Sequence, residues 1–192
     1  MALEIHAVTP DRFDDLADLF ESNSATKGCW CMVHIIERKV WHAGWRNGGN
    51  RKLFEEMART ADPPIGLIGY VEGTPVAWCA IGPRSRYPRC IGPRAVVLAG
   101  RDPTEDDDVW LFTCFFTRVG FRSNGLTRAL IDEATALAKL HAAKAIEGIP
   151  LAVGAKRGSE YVGRETAFEA CGFECIARPT PQRAVMRREL RG

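Results

Sequence analysis

Hydrophobic and polar positions along the chain follow two periods. Leu3 to Val8 alternates and predicts a short strand. Thr9-Pro10-Asp11 predicts a helix start. Thr9 is suited to accept at the N-cap, Pro10 loses no hydrogen bond at the first helical position, and Asp11 favours the positive end of the dipole. Phe13, Leu16, Ala17 and Phe20 then share one side, with Asp14, Asp15 and Asp18 on the other. The pattern breaks over residues 22–46. A second helix is expected over Asn50 to Thr60, with Leu53, Phe54 and Met57 on its apolar side. Ile65 to Val71 and Pro75 to Ile81 read as a hairpin turning at Glu72-Gly73-Thr74.

Val109 to Thr117 is apolar at nearly every position, which predicts a central strand covered on both faces. A glycine-containing loop, 118–125, leads into a helix running to about Ala142. Its buried stripe is Leu126, Leu130, Ala134, Leu137 and Leu140. Ala145 to Val153 reads as another apolar strand and Tyr161 to Cys171 as a short helix ended by Gly172. Glu174 to Arg178 and Arg183 to Leu190 read as a closing hairpin. Interleaved strands and helices predict an α/β sandwich on a mixed sheet.

Composition narrows the function. The 192 residues are 46% hydrophobic and 26% charged, which describes one ordinary domain spanning 1–192. A formal charge of +2 is too balanced to point to nucleic acid. The longest apolar run, Val109 to Phe116, is far short of the ~20 residues a bilayer needs, so no membrane partner is expected. The N-terminal residues lack the basic and apolar regions of a secretory signal, and seven cysteines form no regular framework. Free thiols in a reducing cytoplasm are therefore expected. Cys29-x-Cys31-x-x-His34 places three ligand types within six residues but has no second pair nearby. That spacing matches zinc sites poorly, and no metal is expected.

The most informative segment is the strand–loop–helix over 109–140. The first N–H groups of a helix lack intrahelical partners and lie at the positive end of its dipole. With Gly125 to admit close approach and Arg122 to add charge, this makes a diphosphate site; an ordinary strand-to-helix connection would read the same way. Gly120 and Gly125 also have the spacing of a P-loop, with Thr127 at its Ser/Thr position. Leu126 replaces the required Lys, which argues against an NTPase.

Arg122-Ser123-Asn124-Gly125-Leu126-Thr127 resembles the phosphate loop of the GNAT superfamily of CoA-dependent N-acyltransferases, of form Gln/Arg-x-x-Gly-x-Gly/Ala, with Thr127 in place of the last small residue. The preceding apolar strand, the following helix and the later Cys171-Gly172-Phe173 also resemble that superfamily. The resemblance is closest to a subgroup with a Trp/Cys-rich segment near its N-terminus and a Cys-Phe pair, here Cys114-Phe115, on the central strand. It implies a mixed, mostly antiparallel sheet with helices on both faces and a splayed central strand pair, 109–117 and 145–153, that admits pantetheine. Pro150 fits a strand whose pairing has ended, or an edge position. Acetyl-CoA is then the expected co-substrate. Thr117 and Val119 would meet pantetheine, and Arg122, Ser123, Asn124, Gly125, Leu126 and Thr127 the diphosphate.

Acylating an ammonium requires removing a proton, which for a Lys-like amine at pH 7 costs about 4.6 kcal/mol. Glu147, in an otherwise apolar strand beside the expected cleft, is the first candidate base. Solvation or pairing with an arginine is the alternative for it. His34 is the second candidate. The superfamily often places a Tyr acid four residues before the Gly-Phe glycine; here Phe168 stands there. Tyr161, two helical turns earlier, is the expected substitute, with Cys171 or water as alternatives. Trp30, His34 and Trp45 are the candidate acceptor-site residues, since three Trp in residues 22–46 require a partner surface; the alternative is that Trp30, Trp41 and Trp45 cap the core and His34 is structural. Arg84, Arg86, Arg89 and Arg94 read as a solvated loop face, or as a grip on an anionic substrate or the CoA ribose phosphate. The expected function is acetyl transfer to a primary amine of a small molecule or peptide, by direct attack in a ternary complex. A non-catalytic acyl-CoA-binding protein is the alternative, and a homodimer stays open.

Overall fold

A computed structural model describes residues 2–155 and 160–190. The strands are β1 Leu3–Ala7, β2 Gly66–Val71, β3 Thr74–Pro83, β4 Val109–Thr117, β5 Ala145–Gly148, β6 Glu174–Thr180 and β7 Arg183–Glu189. They form one sheet in the order β1-β2-β3-β4-β5-β7-β6. Only β4 and β5 run parallel; the other pairs are antiparallel. The helices are α1 Phe13–Glu21, α2 Ser24–Cys29, α3 Arg38–Asn47, α4 Gly49–Thr60, α5 Pro88–Ile91, α6 Leu126–Leu140 and α7 Glu165–Glu169. One face of the sheet packs on α6 and α7 through Leu130, Ala134, Phe112, Phe115 and Phe168. The other packs on α1 to α4 through Leu16, Phe20, Trp30, Phe54 and Trp78. The expected mixed, mostly antiparallel sheet covered on both faces is what the chain forms.

Two details of β4 and β5 shape the centre. The parallel ladder runs from Val109 opposite Ala145 to Phe112 opposite Gly148 and then stops, while β4 continues to Thr117. The strand expected to reach Val153 thus leaves the sheet early. Pro150 has no N–H for the ladder, and Leu151 makes only isolated bridges, to Arg164 and Arg183. Beside this gap β4 carries a bulge: Ile81 faces Phe112 but Ala80 faces Cys114, leaving Thr113 as the extra residue. Gly148 has no room for a side chain, because a Cβ there would collide with the ring of Phe168.

Other sequence readings are revised. Thr9 precedes a 3-10 turn, makes no side-chain cap, and α1 starts only at Phe13. Residues 22–46 hold two short helices and a 3-10 turn, Met32–His34, with Trp30 and Cys31 both at positive φ. On α4, Phe54 and Ala58 are buried while Leu53 faces outward; on α6, Leu140 is exposed. The helix expected over 161–171 is divided into a 3-10 turn, Glu160–Val162, and α7, with Gly163 at positive φ between them.

Candidate functional site

A cleft of about 680 Å³ opens where β4 outruns β5. Its walls are the end of β4, the loop after it, the N-terminus of α6 and the segment entering α7. Thr117, Arg122, Ser123, Gly125, Leu126, Thr127 and Tyr161, all expected from the sequence, line it. Val119 and Asn124 do not; Val119 is 73% exposed, and Asn124 Nδ2 donates to the Phe121 carbonyl at 3.3 Å, bracing the loop. Phe121 and Arg164 also line the cleft, and sequence reasoning passed over both. The signal for Arg164 was weak: a basic residue next to a glycine at a helix start.

The loop is built to present backbone N–H groups. Gly120, Ser123 and Gly125 all sit at positive φ. Gly125 is the N-cap of α6 and has no capping side chain. Among the described residues, nothing accepts from the N–H groups of Arg122 through Thr127. A Cβ at Gly125 would meet nothing within 4 Å, so the glycine leaves this helix end bare. Arg122 is held near the loop by Nε donating to the Thr117 carbonyl at 3.4 Å. Bare N–H groups, a 15-residue helix dipole and a guanidinium together suit a phosphate group.

Tyr161 lines the cleft from the 3-10 turn rather than from a helix, its ring against that of Phe116 on β4 at 6.5 Å. Phe168 is fully buried among Phe112, Phe115 and Phe173 and does not line the cleft.

Glu147 lies elsewhere. The sequence suggested a half-buried carboxylate beside the cleft; the side chain is 2% exposed and does not line it. Its Oε2 pairs with Arg84 Nη1 at 3.2 Å and its Oε1 with Arg187 Nη1 at 2.9 Å. Arg84 also meets Asp106 at 3.1 Å and the Asp102 carbonyl at 2.9 Å. Arg187 meets Glu105 at 3.1 Å. The physical reason is register: Glu147 sits opposite Arg187 on β7, so the buried carboxylate is paired with a partly buried guanidinium. The solvated-face reading also fails for Arg84, which is buried, and for Arg86, which donates to the carbonyls of Pro63, Pro64 and Ile81.

Two of the expected acceptor-site aromatics are structural. Trp30 is buried, stacked on Phe13 at 5.8 Å and edge-on to Phe20 at 5.2 Å. Trp45 packs against Trp41 and over Gly28, where a Cβ would collide with it. These tryptophans join α1 to α4 into one layer. His34 is half-buried, and burial, helped by the charges of Arg89 and Arg183, pushes its pKa down to about 4. Cys31 and Cys114 are neighbours; contact between their thiols and burial hold Cys31 well above the usual thiol range, and Trp78 Nε1 donates to Cys31 Sγ at 3.2 Å. Among the described residues, no group of three or more His, Cys, Asp and Glu is arranged to hold a metal. No described helix is long and apolar enough to cross a membrane.

No family model and no curated protein matches the sequence. Solved structures do match the fold. A PaiA N-acetyltransferase from Thermoplasma acidophilum, in complex with coenzyme A, is 11% identical, with TM-score 0.53 over 98% of this chain and 99% of that one. YncA from Salmonella typhimurium, with its cofactor acetyl-CoA, is 12% identical, with TM-score 0.58 over 100% and 95%. A GCN5-related N-acetyltransferase from Kribbella flavida is 14% identical, with TM-score 0.55 over 98% of both. The chain has the fold of these GNAT acetyltransferases.

Proposed function

We propose that this chain, as one domain, transfers an acetyl group from acetyl-CoA to a primary amine by direct attack in a ternary complex. One observation carries the reading: a bare helix N-terminus and a gap between two parallel strands share a single cleft. The loop N–H groups and Arg122 would bind the diphosphate. The unpaired edge of β4 from Thr113 to Thr117 offers backbone groups to the amide-bearing pantetheine arm. The thioester then reaches the gap, where an amine can attack from across the sheet. Two structural neighbours, solved with CoA and with acetyl-CoA, support this reading of the fold.

The acid–base scheme follows from where each side chain lies. Glu147 is engaged by two arginines, so it is left out; water in the gap removes the ammonium proton. Tyr161, which lines the cleft, is assigned the protonation of the departing CoA thiolate. The buried Phe168 and the engaged Glu147 favour a second reading, in which the chain holds acyl-CoA without turning it over. Thiol release from acetyl-CoA, measured over a broad amine panel, separates them: amine-dependent release supports transfer, and tight CoA binding with no release supports the holder.

A further inference from the structure

The face of the sheet opposite the phosphate loop treats its arginines unequally. Along β7, Arg183, Val185 and Arg187 point to that face, while Ala184 and Met186 join the core under α6. Arg187 and the buried Arg84 are matched by Glu147, Glu105 and Asp106. Among the described residues, Arg183 has no carboxylate partner. Its side chain donates from Nη1 to the carbonyl of Ile149 at 3.3 Å. Ile149 is the first residue after β5, so the guanidinium stands where β5 parts from β4.

Arg89 approaches from α5, its Nη1 donating to the Val33 carbonyl. It too has no acid partner among the described residues. His34 lies within the fields of both arginines and carries no charge at neutral pH. Two cations and a neutral imidazole therefore lie together near the gap, with no carboxylate paired to them among the described residues. A half-buried guanidinium without a counter-ion is costly unless a ligand supplies one. Burial alone lowers the pKa of Arg183, in keeping with its lack of an acid neighbour. The fork of donors on each arginine suits an oxyanion.

We infer that Arg183, with Arg89 and His34, forms an acceptor subsite for an amine that also carries an oxyanion, a carboxylate or a phosphate ester. This rests on the acyl-transfer reading, since the subsite lies at the gap where the thioester would emerge. Arg183 would fix the anion and so set the distance from amine to thioester; it is a binding residue and takes no proton.

The test compares matched acceptors: an amino acid with its amide, and a phosphorylated amino alcohol with the free amino alcohol. Each is titrated into CoA-saturated protein by calorimetry and assayed for thiol release with acetyl-CoA. The anionic member should be favoured at least tenfold in Kd or kcat/KM, and the better anion names the source. Arg183→Gln should abolish that preference, Arg183→Lys should keep part of it, and all variants should bind CoA as before. If Arg183→Gln does not fold, Arg89→Gln, at an exposed position, should reduce the preference by itself. Thiol release with equal preference in each pair overturns the subsite and leaves acyl transfer standing. Anion-dependent binding without thiol release supports the subsite and removes acyl transfer. Neither binding nor release overturns the subsite.

Discussion

Replacing Gly125 with Asp tests the phosphate loop most directly. The glycine sits at φ 76°, and a Cβ there has open space for 4 Å. The cost to the fold is therefore backbone strain alone, about 1 kcal/mol and eased because Asp tolerates the left-handed region. For a chain of this size that is a fall in Tm of roughly 2–4 °C. The cost to CoA is larger. A carboxylate placed ~5 Å from a diphosphate charge repels it by roughly 3 kcal/mol at an effective dielectric of 20, and solvent and salt reduce this. At least about 1.4 kcal/mol should survive, a tenfold weaker Kd. Calorimetric titration of CoA, paired with a melting curve, separates the two effects. A folded Gly125→Asp protein that binds CoA as tightly as the parent would refute both the site and the argument for it.

Three further outcomes follow from the geometry. Glu147→Gln should act on stability, because it leaves Arg84 and Arg187 short of a counter-charge. With Glu105 and Asp106 still present the loss should be ~2–3 kcal/mol, below the usual cost of breaking a buried pair, and read as a lower denaturant midpoint. A drop of a hundredfold or more in kcat with unchanged stability would return it to the chemistry. Trp30→Leu should likewise cost ~2–3 kcal/mol of stability and leave KM for the amine unchanged, since the ring is core. A selective rise in that KM would contradict the placement. His34 is held neutral, its pKa at about 4 against 6.5 for the free side chain. Between those values the unfolded chain binds a proton that the folded chain does not. His34's contribution is therefore complete above about pH 6.5 and is lost as pH falls toward 4. Unfolding curves across that window should slope less in His34→Gln; identical slopes would show that its proton affinity is not depressed.

What could be read in advance was what neighbours in sequence decide. The strand at 109–117, the loop and α6 are set by local apolar periodicity and by glycines, and the structure keeps them in place. The early end of β5 was not: the apolar run continues to Val153, and only Pro150, without an N–H, hinted that pairing stops. Residues 22–46 were opaque because two consecutive left-handed residues, Trp30 and Cys31, break the chain into pieces shorter than a periodicity window. Glu147 was legible as a charge in an apolar strand, but its partners come from 63 residues before it and 40 after. Distances of that kind hide in any one-dimensional pattern. Arg183 was invisible for the same reason: that no acid among the described residues pairs with it is a property of the assembled face, and a hairpin arginine looks ordinary in sequence.

The bulge in β4 makes this strand unequally tolerant of length changes. Leu111 faces the α1–α5 side, Phe112 the α6 side, and Thr113 and Cys114 both turn toward the former before Phe115 and Phe116 resume the alternation. Thr113 is thus a phase shifter between two halves of one strand. Deleting a residue from an unbulged strand sends everything downstream to the wrong side of the sheet. Deleting Thr113 would leave Cys114, Phe115 and Phe116 facing as they do now, and would merely straighten the ladder. In a single-codon deletion scan across 109–117, Thr113 should therefore stand out as the permissive site. What it would forfeit is the extra local twist beside the gap, so a folded Thr113-deleted chain would isolate how much that twist contributes to holding β4 and β5 apart.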